Sequence, residues 1–164
     1  MRELLSWGLG GLMVIASSVF AADKPLSVKE TIVLDAPAEV VWAKIGHFDD
    51  MSWHPGIAST EIVDGDEEKP GAKRILTLKD GGKIHETLTA RDAKKMKLSY
   101  KITESVLPVS EYSATLSVRP EGTRSRVVWV SQFKRKAPSD DKAGVDTITG
   151  IFQSGLSQLK ASLH

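Results

Sequence analysis

Cysteine is absent from all 164 residues, which excludes a disulfide framework, a thiolate metal site and a cysteine nucleophile, and leaves packing to stabilise the fold. The chain also lacks a Gly-x-Ser-x-Gly nucleophile turn and a glycine-rich phosphate loop. His47 and His54 flank Asp49-Asp50 without the close pairing that metal hydrolases place on one helix face, so neither a metal nor a cofactor is expected. Neither sign of charge is in excess: 22 Lys and Arg stand against 21 Asp and Glu, a formal +1, and nothing demands nucleic acid. No internal repeat or linker divides the chain, which points to one domain.

Long apolar runs are missing too, apart from Leu4 to Val19 directly after Met1-Arg2. That run falls short of the ~20 residues of a spanning helix and has the form of a secretory signal. Val19-Phe20-Ala21 suits cleavage after Ala21, leaving residues 22–164 as an exported chain without a membrane span, expected in a bacterial periplasm. The leader carries one basic and one acidic residue, Arg2 and Glu3, so its removal leaves the formal charge unchanged.

What is present begins with Leu26-Ser-Val-Lys-Glu-Thr-Ile-Val-Leu34, alternating at period two as a strand does. Asp35 and Pro37 announce a helix with Ala38, Val41, Trp42, Ile45 and Phe48 at helical spacing, and Gly46 ends it. Asp49 to Gly56 reads as a second, shorter helical turn broken at Pro55. Six strand-length runs follow at Ser59 to Val63, Lys73 to Lys79, Lys83 to Asp92, Lys97 to Glu104, Glu111 to Arg119 and Arg124 to Lys134. Asp80-Gly81-Gly82 is the strongest hairpin signal among them. A helix opens at Ser139 or Asp140, and Val145, Ile148, Phe152, Leu156, Leu159 and Leu163 form its apolar stripe. Its glycines, Gly144, Gly150 and Gly155, admit either close packing or room for a ligand. The order predicts an α+β fold in which a curved antiparallel sheet wraps round one long C-terminal helix, with a short helical pair after the first strand.

Alternation also predicts an interior. Ile84, Glu86, Leu88 and Ala90 share one face of their strand, Tyr100 goes with Leu98 and Ile102, Tyr112 with Ala114, Leu116 and Val118, and Trp129 with Val127 and Phe133. The expected cavity is therefore bordered by Glu86, Tyr100, Tyr112, Trp129, Phe133 and Phe152, with Trp53 and His54 at its mouth. A three-residue hairpin loop would also turn Arg74 inward as the partner of Glu86; a two-residue loop would reverse that parity. Glu86 is then open to a structural, a ligand-binding or an acid/base role. Lys94-Lys95-x-Lys97 and Lys134-Arg135-Lys136 are basic clusters that read as solvated loops or, if the protein docks on a partner, as steering charge, with Lys134, Arg135 and Lys136 as the docking residues.

Several short stretches, in this order, resemble a known superfamily. They are Ala36-Pro-Ala-Glu-Val-Val-Trp42, Trp53-His-Pro55, Glu86-Thr-Leu88 with Asp92, Leu98-Ser-Tyr100, Leu107-Pro-Val-Ser-x-Tyr112, Val127-x-Trp129 and Gly150-Ile-Phe-x-x-Gly-Leu156. The chain resembles the START and Bet v 1-like (SRPBCC) helix-grip proteins, and within them the polyketide cyclase/dehydrase and lipid-transport group. That resemblance implies the helix-grip fold over most of residues 27–163 and leaves activity open. An exported member of this size resembles the MxaD-like group of methanol-oxidation gene clusters. What this implies is a non-enzymatic periplasmic accessory of methanol dehydrogenase, or of its electron transfer to cytochrome c. A carrier of an apolar lipid or quinone-like molecule is the alternative, and an exported polyketide cyclase-type enzyme comes after it.

Overall fold

A computed structural model describes residues 24–163, and the expected leader at 1–21 lies outside them. Seven strands form one antiparallel sheet: β1 (Leu26–Leu34), β2 (Ile57–Asp64), β3 (Lys73–Leu78), β4 (Lys83–Asp92), β5 (Lys97–Ser105), β6 (Val109–Glu121) and β7 (Arg124–Arg135). Their spatial order is β1-β7-β6-β5-β4-β3-β2, so the first strand closes against the last and all other neighbours are hairpin partners. A short helix, α1 (Ala38–Ile45), follows β1, and α2 (Asp141–Ser162) ends the described chain. The curved sheet and long terminal helix make the expected helix-grip arrangement.

The sequence builds α2 from both ends of its pattern. Asp140 is the N-cap, its carboxylate accepting from the Ala143 N–H at 2.7 Å, while Asp141 places negative charge in the first turn, where the helix dipole favours it. Ile148, Phe152, Leu156 and Leu159 are buried at intervals of three and four, and α2 closes the core mainly against β1 and β7. Pro37 opens α1, which buries Ala38, Val41, Trp42 and Ile45.

Three local features depart from simple alternation. The second member of the expected helical pair does not form: residues 48–56 are turns, with His54 N–H donating to Met51 C=O and Ile57 N–H to His54 C=O. Asp50 caps Ser52 N–H at 2.7 Å and Pro55 has no N–H to continue a helix. A bulge between Leu88 and Ala90 turns Ala90 outward, although parity places it with Ile84, Glu86 and Leu88. A second irregularity between Ser110 and Ser113, with Glu111 at φ 49°, resets β6 so that Val109 and Tyr112 are both buried.

The β3–β4 turn decides the interior. Thr77 pairs with Lys83, and Leu78 N–H donates to Gly82 C=O at 2.8 Å, leaving Lys79-Asp80-Gly81 as a three-residue loop. Gly81 takes φ +90°, a conformation that costs glycine little. The register that results sets Arg74 directly opposite Glu86.

Candidate functional site: a cavity between the sheet and the last helix

A cavity of about 440 Å³ lies between the sheet and the N-terminal part of α2, within the range of ~300–1,000 Å³ typical of small-molecule sites. Its wall is mainly aliphatic and aromatic: Leu76 and Leu78 of β3, Ile84 of β4, Ile102 of β5, Leu107 of the β5–β6 loop, and Ile148, Ile151 and Phe152 of α2. Tyr100, Tyr112, Trp129, His54 and Glu86 add the polar atoms, and Lys79 and Asp80 belong to the wall at the β3–β4 turn.

Glu86 and Arg74 are buried, with 5% and 2% of their surface exposed. Arg74 places both Nε (2.7 Å) and Nη2 (2.6 Å) on the same carboxylate oxygen, Oε2, while its Nη1 donates to the Phe48 carbonyl at 2.6 Å. The guanidinium carbon lies 4.2 Å from the centre of the Phe48 ring. All three nitrogens of Arg74 are thus engaged, and Phe48 and Glu86 stand around the group. Burial pushes the Glu86 carboxyl above its ordinary value, and the Arg74 charge opposes that rise.

Tyr100 accepts a hydrogen bond from Trp129 Nε1 at 3.0 Å, and burial pushes both tyrosine hydroxyls well up in pKa, so Tyr100 and Tyr112 stay protonated. Phe152 stacks on Trp129 at 4.1 Å between ring centres and 10° between planes. His54 is fixed by two backbone groups: Nδ1 accepts from Gly56 N–H at 3.0 Å, and Nε2 therefore donates to Ile151 C=O at 2.9 Å. Burial lowers its pKa, against the opposing pull of the Ile151 carbonyl. A Cβ on Gly155 would stand 2.5 Å from His54 Cδ2 and 3.2 Å from Trp129 Cζ3, so this glycine serves close packing. Gly150 has nothing within 4 Å of its would-be Cβ.

Of the residues singled out in the sequence, the structure brings His54, Glu86, Tyr100, Tyr112, Trp129 and Phe152 to the cavity wall. Three others are buried without reaching it. Arg74 is held away by its bonds to Glu86 and Phe48. Trp53 packs 5.5 Å from the Trp129 ring, and Phe133 stacks at 6.0 Å on Tyr112, with Gly144 close to its edge. The basic run is not a free patch: Lys134 pairs with Glu111 at 2.8 Å, Arg135 lies 3.5 Å from Asp141, and Lys136 Nζ donates to Ser105 C=O at 3.2 Å. Sequence reasoning missed the wall residues Met51, Leu107 and Ile151. Met51 and Leu107 sit in loops without periodicity; Ile151 precedes Phe152 on α2 and could have been found by widening the apolar stripe. Among the described residues no group of three His, Asp or Glu could hold a metal ion, and no helix is long and apolar enough to cross a membrane.

A long helix gripped by a curved sheet over an apolar cavity defines the Bet v 1-like, SRPBCC class of protein. The family model for polyketide cyclase/dehydrase and lipid transport proteins matches residues 25–164, and the chain belongs to this family. Among solved structures, the protein XoxI from Bacillus cereus is similar with 26% identity and a TM-score of 0.77, over 84% of this chain and 94% of that one. A protein from Nitrosospira multiformis is 28% identical with a TM-score of 0.74, covering 85% and 97%. Ara h 8.0201, at 18% identity and a TM-score of 0.69 over 85% and 98%, shares the fold. No curated protein matches significantly.

Proposed function

We propose that the protein binds an apolar small molecule between sheet and helix and acts as a carrier or accessory rather than through chemistry of its own. The observation that carries this reading is the cavity of about 440 Å³, whose wall is dominated by Leu, Ile, Phe and Trp side chains. Asp80 lies out at the β3–β4 turn, and the buried carboxyl of the wall, Glu86, is held by Arg74 through Oε2. An acid/base role would need that carboxyl poised for proton transfer to a substrate, and the two Arg74 contacts on Oε2 favour the ionised structural form instead. Organic extraction of the purified protein followed by mass spectrometry tests the reading: a stoichiometric apolar compound, or saturable uptake of Nile red, is expected. Failure to bind any apolar dye would overturn it.

A finer reading makes the protein a periplasmic accessory of methanol dehydrogenase or of its electron transfer to cytochrome c, as the MxaD-like resemblance implies. The expected leader at 1–21 and the basic run Lys134-Arg135-Lys136 support it. Each of those three side chains has an internal contact, so docking would draw on the positive field around the end of β7 rather than on unpaired ammonium groups. The secreted form should increase electron transfer from a quinoprotein alcohol dehydrogenase to its cytochrome, and the gain should shrink as salt screens charges beyond ~8 Å at 0.15 M. An unchanged rate at every ionic strength would exclude this role.

A further inference from the structure

Among the polar groups of the cavity wall, the Glu86 carboxylate is half satisfied. Both Arg74 contacts fall on Glu86 Oε2, and Oε1 accepts no hydrogen bond from any described residue, although Glu86 lines the cavity. An ionised carboxylate can only accept, and a lone pair facing an apolar space is an unmet demand for a donor. Arg74 does not reach the wall, and its Nε, Nη2 and Nη1 each already donate to Glu86 or to Phe48, so it is not placed to serve a ligand. His54 is equally closed to a ligand, with one ring nitrogen on Gly56 and the other on Ile151.

We infer that the ligand is a neutral apolar molecule whose one polar group is a hydrogen-bond donor, a hydroxyl or an N–H, seated on Glu86 Oε1 beside the Tyr100 and Tyr112 hydroxyls. This rests on the apolar-cavity reading and names its specificity. A molecule ending in an ether or ester oxygen can accept from a tyrosine O–H but has no proton to offer Glu86, and it leaves the Glu86 oxygen unpaired after water is expelled. A carboxylate head would add like-charge repulsion at the same place; the cation in the cavity wall, Lys79, sits at the β3–β4 turn and could hold such a head only in the opposite orientation. Tyr100 already accepts from Trp129 Nε1, which leaves its own O–H to donate to a ligand hydroxyl oxygen while that hydroxyl donates its hydrogen bond to Glu86.

The test uses the delipidated secreted protein at about pH 8, where dodecanoate is ionised. Nile red, which has no donor, reports the cavity, and 1-dodecanol, its isomer 1-methoxyundecane and dodecanoate compete for it. The alcohol should displace the dye with an affinity about tenfold or more above that of the ether and of the carboxylate. In protein carrying ¹³C in its glutamate carboxyls, dodecanol should also shift the signal of Glu86, the one buried glutamate among the described residues, while the ether leaves it in place. The Glu86→Gln variant, if it folds, should narrow the alcohol-to-ether ratio; the carbon signal does not depend on that variant. Equal displacement by alcohol and ether, with no glutamate shift, overturns the donor rule and leaves the apolar cavity standing. No uptake of Nile red overturns the cavity reading itself, and the donor rule with it.

Discussion

The same sheet carries two ion pairs that look alike on paper and differ in everything that matters energetically. Arg74–Glu86 is buried on the inner face, whereas Lys134–Glu111, in the irregular stretch where β6 meets β7, leaves two thirds of the Glu111 side chain exposed. Desolvation costs several kcal/mol per ion inside a protein, so the interior pair persists only because Arg74 is also bonded to the Phe48 carbonyl and faces the Phe48 ring. The surface pair gives up little water and gains little from its partner. The lesson is that the interior pair is a poor device for stability and a good one for presenting a fixed carboxylate oxygen to a cavity. The outer pair could be exchanged for many others.

The sharpest way to break that comparison is to remove one partner. Glu86→Ala strands the Arg74 charge and should cost about 3–5 kcal/mol, read from urea unfolding. Replacing both residues with apolar ones of similar volume, Arg74→Met with Glu86→Leu, should recover most of that loss, because the desolvation penalty disappears with the charges. A single Glu86→Ala change that costs less than about 1 kcal/mol would place the pair in the same class as Lys134–Glu111.

The helix sharpens the contrast without charge. Gly155 faces His54 and Trp129, and an added methyl there should cost about 1–3 kcal/mol by forcing rings apart. Gly150 lies on the same helix with open space around it, and Gly150→Ala should gain about 0.4–1 kcal/mol by restricting the unfolded chain and improving helix propensity. Thermal unfolding of the two variants should therefore move in opposite directions from wild type; a shared direction would mean that the helix does not sit as described.

His54 gives the interior a pH dependence of its own. Its folded form is neutral, with Nδ1 accepting from Gly56, and burial holds its pKa below the ordinary 6.5. Below pH 6.5 the unfolded chain therefore binds more protons at this site than the folded one, so stability rises with pH. The contribution is complete above 6.5 and is lost as pH falls towards the lower folded value. Wild type should lose more stability than His54→Ala between about pH 7.5 and 5.5. Parallel loss in both proteins would show that His54 is not held neutral.

Much of this was legible in the chain because alternation and helical spacing are read directly from side chains. β1 and β4 fall where the apolar periods put them, and the stripe from Ile148 to Leu159 is the buried face of α2. Glu86 faces inward because its neighbours Ile84 and Leu88 do. The failures share one cause, which is backbone that leaves its period. The bulge after Leu88 turned Ala90 out, and the kink at Glu111 hid Val109 from a parity count begun on its far side. Arg74 depended on a choice between two hairpin lengths that Asp80-Gly81-Gly82 alone does not make; the backbone bond from Leu78 to Gly82 makes it. Which inward side chains touch the cavity is a question of depth: Phe133 and Tyr112 share a facing, but Tyr112 covers Phe133.

The smallest expected effect closes the comparison from the outside. Lys134 and Glu111 lie 2.8 Å apart, with side-chain exposures of 32% and 67%, and Lys134 continues into Arg135 and Lys136, whose contacts are also at the surface. A double-mutant cycle over Lys134→Ala and Glu111→Ala should return a coupling of about 0.2–1 kcal/mol, from chemical unfolding at low salt. Raising the salt to ~1 M contracts the Debye length to ~3 Å, and the coupling should fade with it. The corresponding coupling between Arg74 and Glu86 should hold at the same salt, because ions do not enter the interior that separates that pair from water. A surface coupling as large and as salt-resistant as the buried one would mean that the end of β7 is a built site, and the steering role of its basic run would then be the place to look for function.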